Sequence, residues 1–299
     1  MTPAVSVLLP THNNAPYLRA AVGSVLAQTY SDFELIVIDD ASSDETAGLL
    51  GELAAQDKRI RVLTNPRPLG IERSLNLALE QAQAALIARM DGDDLCLPPR
   101  LERQVAALAS QPQVVALGCQ VQTFGDVQMR YDYPLTAPEA RAHSVFAVPL
   151  CHPATLMRRG ALEAVGGYPL DAPFAEDYAL WARLLEEGEI ANLPQVLLRY
   201  RRHAESVTSR RAEGMRASTR QVWSRLLGRL GLESGEADLE SHDLLAHSYY
   251  DPLSVSAQQR AAAQDWGARL IQANALSRFA DPAHLAAQVA RRLAGLWMA

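Results

Sequence analysis

Ala84-Ala-Leu-Ile-Ala-Arg-Met90, followed at once by Asp91-Gly92-Asp93-Asp94, decides how this chain is read. An apolar run of that length closed by a turn reads as a buried strand. Carboxylates then leave its C-terminal end, where open α/β sheets gather their ligands. Side chains two apart on extended backbone point the same way, so Asp91 and Asp93 converge. Like charges that close resist ionising together unless a cation lies between them. A hard divalent ion, Mn²⁺ or Mg²⁺, fits, above all where substrate phosphates complete its shell. The plainer reading of the same turn is an acidic cap on the helix that opens near Pro98.

Outward from this stretch, strands and helices alternate. Val5–Leu9 is a short apolar strand stopped by Pro10. Asn13 or Asn14 caps the next helix, with Pro16 in its first turn and Leu18, Ala21, Val22, Val25 and Leu26 on one stripe. Glu34–Ile38 is a second strand ending in Asp39-Asp40, and Ser42 with Glu45 reads as a capping box for the helix behind it. Ile60–Leu63 is a third strand. A helix follows Gly70, carrying Ile71, Leu75, Ala78, Leu79 and Ala82 inward. After the 84–90 strand come a helix begun by Pro98-Pro99 and a strand over Val114–Leu117. This alternation predicts crossover units and a mostly parallel, doubly wound sheet.

Residues 131–167 read as irregular and rich in turns, the kind of segment that carries function. A helix over 175–187 and strand segments over 190–193 and 196–202 close this part. Beyond about His203 only helical patterns remain. On the last of them Leu285, Val289, Leu293, Leu296 and Trp297 share a face. That stripe suits a membrane surface, the catalytic part of the chain, or a second subunit.

The bulk numbers narrow the class. The chain has 299 residues, 48% hydrophobic and 21% charged, enough for a proper core. A net charge of −6 gives no basic footprint for nucleic acid. The three cysteines, Cys96, Cys119 and Cys151, show neither metal spacing nor an even count for disulfides. With no signal-peptide pattern at the N-terminus and no apolar stretch of spanning length, the expectation is a cytoplasmic protein, at most peripheral at the inner face of a membrane.

Neither a Gly-x-Gly-x-x-Gly nor a Gly-x-x-x-x-Gly-Lys-Ser/Thr loop follows the first strand, so acidic turns stand where glycine loops would. Asp39 and Asp40 either form a plain turn or accept hydrogen bonds from a nucleobase or ribose. Glu176-Asp177 opens a helix, where acidic residues offset the helix dipole. The same pair at a pocket edge would supply a general base. Arg73, and the later cluster of Arg199, Arg201, Arg202 and His203, either offset a diphosphate or form a solvated face. His152, before Pro153, reads as structural when taken alone.

Taken together these segments resemble the family 2 glycosyltransferases, inverting enzymes of the GT-A fold. The matching pieces are Val5–Asn14, Ser24–Glu34, Ile38–Thr46, Pro68–Asn76, Met90–Asp94, His152–Thr155, Glu176–Trp181 and Tyr200–His203. They occur in the family's order over roughly residues 4–208. The resemblance implies a GT-A catalytic domain over 1–208, with a nucleotide-sugar half over about 1–95 and an acceptor half over 96–208. A helical extension fills 209–299. It places Pro10, Thr11, Asn13, Asp40, Arg73, Asp91, Gly92 and His203 around a nucleotide-sugar donor, with Asp93 and Asp91 on the metal. Asp177 becomes the catalytic base, Glu176 lines the acceptor site, and His152 falls on the acceptor side.

The implied reaction is a single displacement at the anomeric carbon. UDP or dTDP is the favoured leaving group, because a carboxylate at Asp40 can accept from a base imide. The acceptor would be a hydroxyl of a glycan or lipid-linked glycan precursor, and Mn²⁺ or Mg²⁺ the cofactor. The Gln-x-x-Arg-Trp signature and membrane spans of processive members are absent from the sequence, which points to addition of one or a few sugars. Two other classes stay open: a noncatalytic nucleotide-sugar-binding module, and a nucleotidyltransferase, which would want a glycine-rich basic loop.

Overall fold

The computed structural model describes residues 2–202, 212–247 and 255–296. Its first strands are apolar along their whole length because both faces of the sheet are covered. In β1 (Val5–Thr11) and β2 (Phe33–Asp39), Val5, Val7, Leu9, Leu35 and Val37 face α1 (Ala15–Leu26) and α2 (Thr46–Gln56). Leu8, Ile36 and Ile38 point the other way, into a second core. There they join Leu75, Ala78 and Leu79 of α3 (Ile71–Gln81), which follows β3 (Ile60–Thr64).

The deciding stretch forms β4 (Leu86–Arg89), and the acidic turn leads straight into a short β5 (Leu95–Cys96). Next come α4 (Arg100–Ser110), β6 (Val114–Gly125), β7 (Arg130–Tyr131), α5 (Ala137–Ser144), β8 (Leu156–Arg158), α6 (Arg159–Ala164), α7 (Glu176–Glu187) and β9 (Glu189–Arg202). The sheet runs β3-β2-β1-β4-β8-β6-β9-β5, with β7 on β6. β1 to β4 are parallel and β6 is parallel to β9, so the mostly parallel α/β sheet expected of a GT-A fold is present. The chain leaves β1 toward β2 and β3, then returns to β4 on β1's other side. The ends of β1 and β4 therefore form a topological switch point, the place where such sheets gather their ligands.

The sequence reading missed α6 and two further elements here. β8, antiparallel to both β4 and β6, lies in the segment read as irregular. So does α5, opened by a capping box in which Thr136 and Glu139 serve each other's backbone N–H groups. The box predicted for α2 does not form. Ser42 turns back onto Asp39, donating to its Oδ1 at 2.5 Å, and the helix begins later, at Thr46. At α1, Asn14 holds the cap position without a side-chain bond, and Asp44 accepts from the Ala15 N–H instead.

Four helices complete the chain: α8 (Ala212–Arg229), α9 (Glu236–His247), α10 (Ala257–Ser277) and α11 (Pro282–Gly295). Trp223, Trp266, Leu285, Val289 and Leu296 share one core with Phe146, beyond the end of α5, and with Tyr178, Ala179 and Ala182 of α7. The opposite face of α7, through Leu180, Trp181 and Leu184, packs under the sheet. One helix thus joins sheet and bundle. The apolar stripe of the last helix is spent inside the chain, with Leu285, Val289 and Leu296 buried; Trp297 lies outside the described residues. Among the described residues no helix is long and apolar enough to cross a membrane.

Candidate active site

The switch point brings the loop after β1 against the turn after β4. A Cβ at Gly92 would stand 2.8 Å from Asn14 Nδ2 and 3.1 Å from Thr11 Oγ1, so the missing side chain lets the two loops approach this closely. Asn13, at φ 51°, zips the same loop to the one after β2: its N–H donates to Ser42 Oγ and its Oδ1 accepts from the Ser43 N–H. Pro10 and Thr11 are buried at the end of β1, and Thr11 Oγ1 has no partner.

Asp40 ties in a third loop. Its Oδ1 accepts from Asn65 Nδ2 and the Leu69 N–H, both at 2.7 Å, and its Oδ2 accepts from the Gly70 N–H at 2.9 Å. Gly70, at φ +90°, opens α3. Arg73, on the first turn of α3, is exposed and makes no hydrogen bond or ion pair with the described residues. A carboxylate has capacity beyond the three bonds Asp40 receives.

Oxygens of Asp91, Asp93 and Asp94 all lie within 4.8 Å of one another. That set suits a hard divalent cation. Asp94 is fully buried: Oδ1 accepts from the Arg201 N–H at 2.8 Å, and Oδ2 is without a partner. Burial, then Asp91 and Asp93, push its carboxyl well above the usual carboxylate range. Asp91 pairs with Arg89, which is 2% exposed at the end of β4. Burial opposes the charge on Arg89, but Asp91 outweighs it and the guanidinium stays protonated. On the sheet's other face, Arg100 donates from Nη2 to the Arg89 carbonyl at 2.8 Å and the Thr155 carbonyl at 3.0 Å, pinning the ends of β4 and β8.

The second carboxylate group comes from α7. The Tyr178 N–H donates to Asp177 Oδ1 at 2.7 Å, and α7 is held from below by Tyr178 Oη donating to the Ser144 carbonyl at 2.6 Å. Burial raises the Glu176 carboxyl, with Asp177 and Glu72 adding to it, to about 8. Asp177 is also raised, first by burial, while the Tyr178 N–H and Arg89 favour its ionised form. Arg89 therefore acts electrostatically on both Asp91 and the α7 pair.

His152 is buried in a short 3₁₀ turn, with its ring 5.5 Å from Tyr168 and 5.9 Å from Trp181. Burial and then Arg89 hold it well below its ordinary value, so it is neutral. His152 Nε2, Tyr168 Oη, Trp181 Nε1 and Arg89 Nε are all buried without a partner. Tyr168 is aimed by Asn76 of α3, which accepts from its N–H at 2.7 Å and donates to its carbonyl at 2.9 Å. His203 lies outside the described residues.

Sequence reasoning did not single out Arg89, and it met Arg201 only as one of a basic cluster and Asn76 only as the end of the Pro68–Asn76 segment. For Arg89 a signal existed: a lone cation in an apolar strand, two residues from Asp91, costs too much to bury without a carboxylate. For the other two, nothing local distinguishes them from surface residues.

A doubly wound sheet with an acidic turn at its switch point and a carboxylate pair on the adjoining helix fits a glycosyltransferase with the GT-A fold. The chain belongs to glycosyl transferase family 2, whose family model matches residues 6–166. It is 33% identical over 212 residues to a putative glycosyltransferase of Bacillus subtilis, EpsE, covering 70% of this chain and 76% of that one. It is 28% identical over 213 residues to WfgD of Escherichia coli, named a UDP-Glc:alpha-D-GlcNAc-diphosphoundecaprenol beta-1,3-glucosyltransferase, covering 69% and 79%. Among solved structures, S. aureus TarS 1-349 in complex with UDP-GlcNAc superposes with a TM-score of 0.65 at 19% identity, covering 98% of this chain and 89% of that one. The chain spans 54% of a longer TarS chain.

Proposed function

We propose that the protein is a metal-dependent, inverting hexosyltransferase that moves a sugar from a nucleoside diphosphate, UDP or dTDP, to a hydroxyl of a glycan or lipid-linked glycan precursor. The observation that carries this reading is that one buried cation, Arg89, pairs with Asp91 of the acidic turn and also favours the ionised forms of Glu176 and Asp177 on α7. A binding module has no need of the second carboxylate group. The name of WfgD, with a UDP-sugar donor and a diphosphoundecaprenol-linked sugar as acceptor, is consistent with this reading.

Pro10, Thr11, Asn13 and Asp40 would surround the nucleoside, with Gly92 giving it room against the turn. Arg73 would reach the diphosphate from α3, and His203 would close the donor side. Asp93 and Asp91 would hold Mn²⁺ or Mg²⁺, which when bound stabilises charge on the departing diphosphate.

The α7 pair divides its labour by ionisation. Glu176, held protonated at neutral pH, donates a hydrogen bond to an acceptor hydroxyl, with neutral His152 on the same side. Asp177, its ionised form favoured by Arg89 and the Tyr178 N–H, takes the proton. Its raised value makes it a stronger base than a free aspartate. The hydroxyl oxygen forms the new bond to the anomeric carbon as the carbon–phosphate oxygen bond breaks on the opposite face, inverting the configuration.

Asp177→Asn separates binding from chemistry. Calorimetry should show UDP bound in the presence of Mn²⁺ as in the parent, while transfer falls about 10³-fold. Normal transfer by this variant would remove Asp177 from the base role. Absence of UDP binding by the parent protein would remove the donor reading as a whole.

A further inference from the structure

We propose that Arg201 is a positioning residue for the donor, setting the backbone of the acidic turn, and with it the aim of Asp91 and Asp93, without touching the nucleotide. This deepens the donor reading above and rests on it.

The turn is anchored at two ends. β4 holds its start between β1 and β8, and β5 holds its exit by pairing with β9, Leu95 against Arg199 and Cys96 against Leu198. Arg201, further along β9, extends that second anchor onto the turn itself. Its N–H donates to Asp94 Oδ1 at 2.8 Å and its Nε donates to the Asp93 carbonyl at 2.8 Å. The guanidinium carbon lies 4.4 Å from the Tyr17 ring centroid and 4.3 Å from that of Phe124. Tyr17 belongs to α1 and Phe124 to β6, so the turn is referenced to both sides of the sheet edge.

The chemistry demands arginine. Only a planar guanidinium can stack on aromatic rings while its Nε donates in plane to a carbonyl. Lysine has no such face, and its donors sit at the tip of a flexible stem. With Nε and its faces engaged, Arg201 serves the turn rather than forming part of a solvated basic patch. A displacement of the turn by about 1 Å is enough to misplace a bound group and weaken transfer severely.

The test measures Mn²⁺-dependent UDP binding by calorimetry, donor KM and kcat in the parent and in R201M and R201K. R201M should weaken UDP binding and raise donor KM by about tenfold, with kcat at saturating donor within about twofold. R201K should fall close to R201M, because the missing feature is the planar face and not the charge. F124L, which removes one ring, should give a loss of roughly threefold.

A folded R201M with parental UDP affinity and donor KM overturns the proposal. So does a loss confined to kcat, which would put Arg201 at the reacting atoms. Should R201M fail to fold, parental affinity in both R201K and F124L overturns it equally. A parent protein that binds no UDP with Mn²⁺ would instead sink the donor reading, so the two failures are told apart.

Discussion

His152 and His242 are both buried among aromatic rings, one beneath the acidic turn and one in the helical bundle, and the chain treats them differently. His242 stacks on Phe146 at 5.2 Å and meets Trp223 and Trp266 edge-on. Trp266 Nε1 can only donate, so His242 Nδ1 is the acceptor at 3.1 Å, and Nε2 carries the proton it gives to the Val145 carbonyl at 2.9 Å. Every polar atom of that ring is used. His152 has an unpartnered Nε2, beside an unpartnered Tyr168 Oη and Trp181 Nε1. Buried polar atoms without partners cost stability, and native structures keep them where a ligand or water completes them. The bundle histidine is a bolt between α9, α10 and the segment after α5. The one under the turn keeps Nε2 unused within the chain, which agrees with the acceptor-side role proposed for it.

The sharpest way to break this contrast is to truncate each ring. His242→Ala leaves Trp266 Nε1 and the Val145 carbonyl unsatisfied around a cavity, at a cost of about 3 kcal/mol. In thermal unfolding that is a drop of roughly 5–10 °C. Transfer per folded molecule should remain within about twofold of the parent. His152→Ala leaves a cavity but breaks no side-chain hydrogen bond at Nε2, so the stability loss is smaller, about 2 kcal/mol, while kcat falls at least about tenfold with donor KM unchanged. If the two variants exchange these phenotypes, the assignment of site and support is reversed.

Gly92→Ala probes the site alone. The added Cβ meets Asn14 Nδ2 and Thr11 Oγ1 at 2.8 and 3.1 Å, so it displaces the Asn14 side chain and crowds Thr11 on the β1 loop. Mn²⁺-dependent UDP affinity should fall about tenfold, or about 1.4 kcal/mol. The bundle, sharing no residue with this contact, should unfold as before. Unchanged affinity would show that the two loops need not touch to bind the donor.

Much of the donor side was legible in the sequence because its determinants are short in range. An apolar run followed at once by Asp91-Gly92-Asp93-Asp94 announces a buried strand and a tight turn without knowledge of anything distant. β8 was not legible: Leu156–Arg158 has no period of its own and is a strand only because β4 and β6 flank it. α5 hid among turn residues although Thr136 and Glu139 spell its cap. The predicted Ser42 cap failed through competition: its hydroxyl donates to the Asp39 carboxylate and its Oγ accepts from the Asn13 N–H, so it is spent on neighbouring loops and not on a helix N–H. Arg201 was visible as a charge, but its brackets come from α1 and β6, far away in sequence.

The smallest effect concerns pH, and it sets the two regions against each other. Glu176 is raised to about 8, so between its ordinary value of 4.5 and about 8 the folded chain holds a proton that the unfolded chain has lost. Its contribution is therefore complete on the acid side and disappears as pH rises through that window. His242, lowered to about 4 by burial, behaves oppositely: the unfolded chain binds the proton first, and stability is lost as pH falls from 6.5 toward 4. Glu176→Gln keeps a neutral side chain that can still donate, but it cannot ionise. At pH 8.5 this variant should be more stable than the parent by about 1 kcal/mol, and near pH 4.5 the difference should vanish. The acid flank, to which both His242 and His152 contribute, should be the same in both proteins. Denaturant titrations across pH 4–9 measure both flanks at once. An alkaline slope identical in parent and variant would mean that Glu176 is ionised in the folded chain, and the division of labour with Asp177 would have to be redrawn.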